Sequence, residues 1–540
     1  MNRLLLLFGL LALTVASATA DPYPRNPHVD VLHYTFRLTL SDQTDEIRGE
    51  TTVTVRFLAD GLASFDLDLI ETTEDNKGMT VTAVTMDGHA VAFTHENDRL
   101  HLPLSSPSKA QEQRTYAIAY RGIPADGLYI SENRHGERTF FGDNWPDRAR
   151  HWLPTVDHPS DKAFCEFVVT APNRYQVVGS GLLVEETDLP GGLRLTHWRG
   201  TVPMATKVMV IGVARFAVQH VDEYQGTPIQ SWVYPQDREA GFYDYALAER
   251  ILQFFSGHIG PFPYAKLANV QSKTRFGGME NASNIFYSER SVSGTRRSEG
   301  LMAHEIAHQW FGDSVTEADW HHIWLSEGFA TYFTQLYMEY TYGRDRLVAG
   351  MRAGKSAVLN RFEQAPSSAI VDTTITNLFD LLNANSYRKG GWVLHMLRYI
   401  VGNEAFWDGI RAYYHQYRDG NALTEDFQRV METVSGQDLS WFFQQWIYQP
   451  GQPRYEGTWH YDAAAGQLTV TLNQMQTNGT FFRMPVELGI YTDDASLPRI
   501  EVMNVDQAQN TFTFVLDTPP TTVVLDPNTW VLMEATFSPR

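Results

Sequence analysis

His304-Glu305-Ile306-Ala307-His308 decides how this chain is read, and the run from Ser298 to Gly312 around it carries those five residues. On an α-helix, residues i and i+4 share a face. Both imidazoles then reach one ion at Zn–N of about 2.0–2.1 Å, and the glutamate between them sits close enough to hold a water at the metal. Ser298 suits the N-cap; Leu301, Met302, Ile306 and Trp310 supply apolar packing; Gly312 suits the C-terminal stop. Two histidines sharing a helix face by chance is the competing reading of the five residues alone. A catalytic zinc also needs a third protein ligand and an open position. Glu327 stands in the next helical pattern, Trp324-Leu325-Ser326-Glu327-Gly328-Phe329-Ala330. A carboxylate among so many apolar residues is costly to bury unless something pairs it, and zinc would pair it.

Just upstream lies Gly277-Gly278-Met279-Glu280-Asn281. Two glycines let a backbone approach a ligand closely and adopt strained angles, and a glutamate there offers a carboxylate to a cation. Taken alone, the stretch reads as a turn. Further out, Phe242, Tyr245, Ala246, Ala248, Ile251 and Leu252 fall at helical spacing. Helical segments are expected around 298–312, 327–341, 390–400, 403–417 and 424–434. The helical stretch ends near Trp446, and the prolines and glycine of Gln449-Pro450-Gly451-Gln452-Pro453 make a linker.

On both sides of this helical middle the apolar period changes to two. Tyr34, Phe36, Leu38 and Leu40 share one strand face, as do Val53, Val55 and Phe57, and then Phe65, Leu67 and Leu69. Beyond the linker, Leu468, Val470 and Leu472, then Val486, Leu488 and Ile490, then Phe512, Phe514 and Leu516 repeat the pattern. The predicted fold class is therefore multidomain α+β. It comprises a signal peptide over 1–20, an N-terminal all-β domain over 21–217, a mainly helical zinc domain over 218–450, and a small C-terminal β-sandwich over 455–540. No internal repeat is found.

The totals agree with several cores: 540 residues, 43% hydrophobic and 20% charged, without a low-complexity stretch. A net charge of −20 repels phosphate backbones, which argues against a nucleic-acid partner, and it mildly attracts cationic ligands such as a protonated peptide amine. Cys165 is the one cysteine, so neither an internal disulfide nor a Cys-based zinc site is expected. Arg3, the apolar run Leu4 to Val15 and the small residues Ala18-Thr19-Ala20 fit an export leader cleaved before Asp21. Export to the periplasm or beyond is the expectation, with no transmembrane segment, because the run is shorter than the ~20 residues a span requires.

Taken together, Gly277 to Asn281, the histidine pair, and Glu327 eighteen residues after His308 resemble the signature of the aminopeptidase N and leukotriene A hydrolase family, zinc aminopeptidases of the gluzincin type. Asp30-Val31-Leu32-His33-Tyr34, Ala149-Arg150 and Pro159-Ser160-Asp161-Lys162-Ala163 look like the family's N-terminal domain, and Ser386-Tyr387-Arg388-Lys389-Gly390 looks like its tyrosine motif. The resemblance implies a thermolysin-like catalytic domain and one zinc per chain held by His304, His308 and Glu327. It implies that Glu305 is the general base, that Tyr387 donates to the oxyanion, and that Glu280 binds the free amine of a peptide substrate. Gly277, Gly278, Met279 and Asn281 would lie along the substrate. The implied reaction is hydrolysis of the N-terminal peptide bond.

This sequence departs from the family pattern at three places. Ser326 replaces the usual asparagine before the third ligand, a change expected to matter little. Trp145 stands where a second amine-binding residue is usual; Asp143 or the indole face is the expected substitute. No helical pattern follows the β-sandwich, so this is read as a short form, with the far end of a substrate in open solvent and peptide acids and amides cleaved alike. An epoxide hydrolase, an endopeptidase and a non-catalytic peptide-binding module are the competing readings; cleavage of free against acetylated N-termini discriminates among them. The preferred first residue and the oligomeric state are not legible in the sequence.

Overall fold

The computed structural model describes residues 21–476, 481–493 and 496–540, so the expected leader lies outside the described residues. Alternation places the N-terminal strands as expected. Tyr34, Phe36, Leu38 and Leu40 are buried, as are Val53, Val55, Phe57, Phe65, Leu67 and Leu69. The strand Val29–Thr39 is central: it pairs antiparallel with Ile47–Phe57 and parallel with Lys162–Pro172 in a nine-stranded sheet. A four-stranded sheet that includes Arg138–Gly142 and Ile211–Ala214 and a three-stranded sheet complete this all-β region.

The middle of the chain is mainly helical, yet it opens on a five-stranded sheet. Its order is Ala217–Tyr224, Thr227–Val233, Leu267–Ser272, Asn284–Ser288 and Gly278–Met279. The last three strands follow the switch to helical spacing near residue 238 and were not expected. Leu267–Ser272 is buried at every position, so no alternation marks it. The helix Arg344–Gln364 was also unexpected, because it buries only Leu347, Met351, Gly354 and Val358, one residue per turn. The other helices include Glu299–His308, Trp324–Tyr342, Gly390–Val401, Asn403–Tyr417 and Thr424–Ser435.

After Gly451 the chain forms two small sheets, of four and three strands, whose inward residues Leu468, Val470, Leu472, Val486, Leu488 and Ile490 are buried. Phe512 and Phe514 are only half-buried. The apolar cores cross the boundaries expected from sequence. One core runs without a break from the helices into the C-terminal sheets. The other joins the N-terminal sheets to Ala268, Val270, Met279 and Phe286 of the five-stranded sheet. Among the described residues, no helix is long and apolar enough to cross a membrane.

Candidate active site

Two packed helices, Glu299–His308 and Trp324–Tyr342, bring together the residues singled out in the sequence. His304 Nε2 and His308 Nε2 lie 3.1 Å apart, and Glu327 Oε2 is 3.2 Å from the first and 3.3 Å from the second. Ligands held about 2.0–2.1 Å from a tetrahedral zinc are about 3.3 Å from one another, so this spacing fits that ion. The atoms are also turned correctly. His308 Nδ1 lies 3.1 Å from the Phe311 carbonyl, which can only accept, so Nδ1 carries the proton and Nε2 presents its lone pair. Glu327 Oε1 accepts from the Tyr387 hydroxyl at 2.7 Å, which leaves Oε2 for the imidazoles.

Ser326 also lies 3.0 Å from His308 Nδ1, through Oγ. The replacement noted in the sequence thus sits directly behind a candidate ligand. Gly312 makes that approach possible. Its φ is +120°, and a Cβ there would lie 2.2 Å from Ser326 Oγ and 3.1 Å from His308 Nδ1. The helix itself stops at His308, earlier than the sequence suggests, and Ser298 does not cap it by a side-chain hydrogen bond; its hydroxyl donates instead to the Ser291 carbonyl.

Gly277, Gly278, Met279 and Glu280 run along the edge of the five-stranded sheet beside the histidine helix. Neither glycine has a positive φ, so the expected strained angles are absent. Gly278 answers a different need: a Cβ there would lie 2.4 Å from Glu305 Oε1. Gly277 meets only ordinary contact, 3.8 Å from Leu301. Glu280, Glu305 and His308 offer donor atoms within 4.8 Å of one another. The Gln309 side chain ties this edge down by donating to the Glu280 carbonyl at 2.6 Å and to Asp313 at 2.8 Å.

A cavity of about 440 Å³ gathers Gly277, Gly278, Met279, Glu280, His304, Glu305, His308, Glu327 and Tyr387 along its lining. Asn281 does not line it. It is fully buried and its two side-chain polar atoms have no partner among the described residues. Trp145 does line it, with its ring against Phe276, Trp320 and Phe379. Asp143 does not substitute for an amine-binding residue. It is buried against Arg148 at 2.6 Å and accepts from Thr274 and the Arg275 amide. Sequence reasoning passed over Gln309 and also Arg388, an exposed cation on the same cavity.

The electrostatics follow from three carboxylates and two imidazoles in a buried space. Burial lowers the His308 imidazole, but Glu280, Glu327 and Glu305 outweigh it and push it up to about 10. Burial also lowers His304; Glu327 opposes this only in part, so His304 stays below its usual value. Burial raises Glu305 well above the ordinary carboxylate range, with Glu280 and Glu327 adding to the effect. Burial would raise Glu327 too, yet His308 and His304 hold it well below that range. A dication would compete with these protons, so metal binding here releases them.

Fold and donor set define a class: a two-helix His–His–Glu metal centre behind an all-β region. Residues 30–208 match the Peptidase M1 N-terminal domain and residues 243–446 the Peptidase family M1 domain. The chain belongs to peptidase family M1. It is 26% identical over 411 residues to the "Probable aminopeptidase 2" of Sulfurisphaera tokodaii, covering 71% of this chain and 50% of that protein. It is 28% identical over 363 residues to "Aminopeptidase M1" of Arabidopsis thaliana, covering 62% and 40%. The chain thus spans about half the length or less of these relatives. Among solved structures, Legionella pneumophila aminopeptidase A in complex with aspartic acid shares the fold, with a TM-score of 0.82 at 18% identity over 96% of this chain and 61% of that one. A point mutant of the M1 zinc metallopeptidase from Deinococcus radiodurans gives 0.66 at 25% identity, over 78% and 94%.

Proposed function

We propose that the chain is a zinc-dependent aminopeptidase that hydrolyses the N-terminal bond of peptides with a free amine. The observation that carries this reading is the trio of donor atoms 3.1 to 3.3 Å apart, opening on a cavity that also receives Glu280 and Glu305. His304, His308 and Glu327 would hold one zinc per chain, which supplies Lewis-acid polarisation of a carbonyl and a water whose pKa falls toward ~7. Glu305 takes the proton of the attacking water and passes it to the leaving amine. Burial raises its proton affinity, which suits a carboxylate that takes a proton from water and then returns it. Glu280 meets the substrate ammonium and so sets the first peptide bond over the centre. Trp145 supplies an indole wall but no second carboxylate, so the ionic hold on the amine rests on Glu280.

Tyr387 has one proton for two tasks. It donates to Glu327 and thereby orients the third ligand; turned away from Glu327, the same hydroxyl would meet the oxyanion. The names of the relatives support the exopeptidase reading over the epoxide hydrolase. The test is a pair of peptides, one with a free and one with an acetylated N-terminus, given to the wild type and to Glu305→Gln. Cleavage of the free peptide alone is expected, with a loss of about 10²–10⁴-fold or more in the variant at unchanged zinc content. Efficient cleavage of the acetylated peptide would make the protein an endopeptidase.

A further inference from the structure

We propose that the chain is cut between Ala20 and Asp21, and that the new α-ammonium of Asp21 seats against Asp319 in a buried niche behind the wall of the candidate active site. The cut is a hydrolysis. Water adds across the Ala20–Asp21 amide, its oxygen leaves on the Ala20 carboxylate, and Asp21 keeps the nitrogen as a protonated amine. A peptidase that cuts after small residues supplies the reaction class.

The niche is built around the nitrogen of Asp21, which donates to Asp319 Oδ2 at 3.1 Å in a buried contact. Asp21 is 6% exposed. Its carboxylate receives His158 Nε2 at 2.8 Å, the Trp320 amide at 3.3 Å and Arg25 at 3.2 Å. Asp319 is held in turn by the His321 amide and ring, both at 3.0 Å, and by Arg25 at 3.4 Å. The next residues are fastened as well: the Tyr23 ring stacks on His158 and its hydroxyl donates to Asp68 at 2.5 Å.

An amide in mid-chain already gives the Asp319 carboxylate a charge-assisted hydrogen bond; an α-ammonium adds an ion pair to it, and the low exposure of the pair limits screening. The niche also adjoins the catalytic cavity. Trp320 follows Asp319, and its ring lies 5.7 Å from that of Trp145, which lines the cavity with Glu280. Processing would therefore set the packing behind the amine end of the site. This inference rests on the leader motif and the Asp21 contacts and stands apart from the peptidase reading, so its test reads no activity.

Two forms of the chain are made from a removable N-terminal fusion: one starting at Asp21, the other carrying Gly-Ser ahead of it. Each reacts with an amine-selective anhydride near neutral pH, and the α-amine is followed by peptide mass spectrometry. The Asp21 amine should react about tenfold or more slowly than the exposed amine of the extended chain, because its proton is held by Asp319. Asp319→Asn should bring the Asp21 amine toward the faster rate. Equal rates in the two wild-type forms would overturn the proposal, with no variant needed. The full chain, expressed in an exporting host, should begin at Asp21 on N-terminal sequencing; another first residue would overturn the cut site.

Discussion

At the scale of single residues, the site is decided by what stands behind the ligands. Ser326 and the Phe311 carbonyl share the Nδ1 proton of His308. Partners of this kind typically contribute 10–100-fold to metal affinity. Because the carbonyl remains, Ser326→Ala should weaken zinc binding by only about tenfold, the low end of that range; competition with a chelator measures it. Arg388 bears on the expectation that the far end of a substrate meets only solvent. It is the one Lys or Arg lining the cavity among the described residues, and its guanidinium has no partner among them. Glu280 lies beside Glu305 and His308, whereas Arg388 follows Tyr387, whose ring stacks on His304 at 6.0 Å. Arg388 and Glu280, the carboxylate proposed for the amine, line the same cavity. A tripeptide acid should be cleaved several-fold faster than its amide, and Arg388→Ala should bring the two kcat/KM values together.

At the scale of elements, the joint between the first strand and the loop before Lys162–Pro172 carries a pH-dependent cost. Asp161 accepts from the Val31 amide at 3.3 Å, and its other oxygen is buried without a partner among the described residues. Burial pushes its carboxyl up to about 8, opposed by the Val31 amide and aided by Asp30. The folded value lies above the unfolded one, so the folded state holds the proton longer. Stability from this group is full below pH ~4 and is lost as pH rises through about 8. Asp161→Asn keeps the acceptor for Val31 and removes the ionisation. It should equal the wild type near pH 4 and exceed it at pH 8 by an amount on the order of several kcal/mol; urea midpoints at the two pH values check this. Element types were legible wherever a period was strong, as in Val29–Thr39 or Asn403–Tyr417. Leu267–Ser272 and Arg344–Gln364 were not legible, one because it is buried on every side and the other because its buried stripe is thin.

At the scale of the whole molecule, the linker after Trp446 separates sequence patterns but not cores. Trp446 packs on Phe482 at 5.0 Å, Trp530 stacks on His395 and Tyr399, and the His395 ring lies 3.0 Å from the Thr529 carbonyl. A chain ending at residue 450 would bare these aromatic faces. Fully exposing each large side chain costs about 1.5–3 kcal/mol against a total stability of about 5–15 kcal/mol. That truncated chain should be insoluble or unfolded by circular dichroism and gel filtration. The sequence by itself determined the residue types and their spacing along the chain: the histidine pair one helical turn apart, Glu327 on the next helix, the alternating strands and the fold class. These are local, because side-chain direction follows from backbone period. Only the tertiary structure decided which atoms behind the ligands face them. It placed Ser326 on His308, Glu305 in the space a Gly278 side chain would fill, and Tyr387 on Glu327. It turned Asp143 toward Arg148 and away from the cavity, left Arg388 without an acidic partner among the described residues, and closed Asp21 onto Asp319 across 298 residues. Those pairings join residues far apart in sequence, and no periodicity encodes a contact that depends on how two separately folded elements meet.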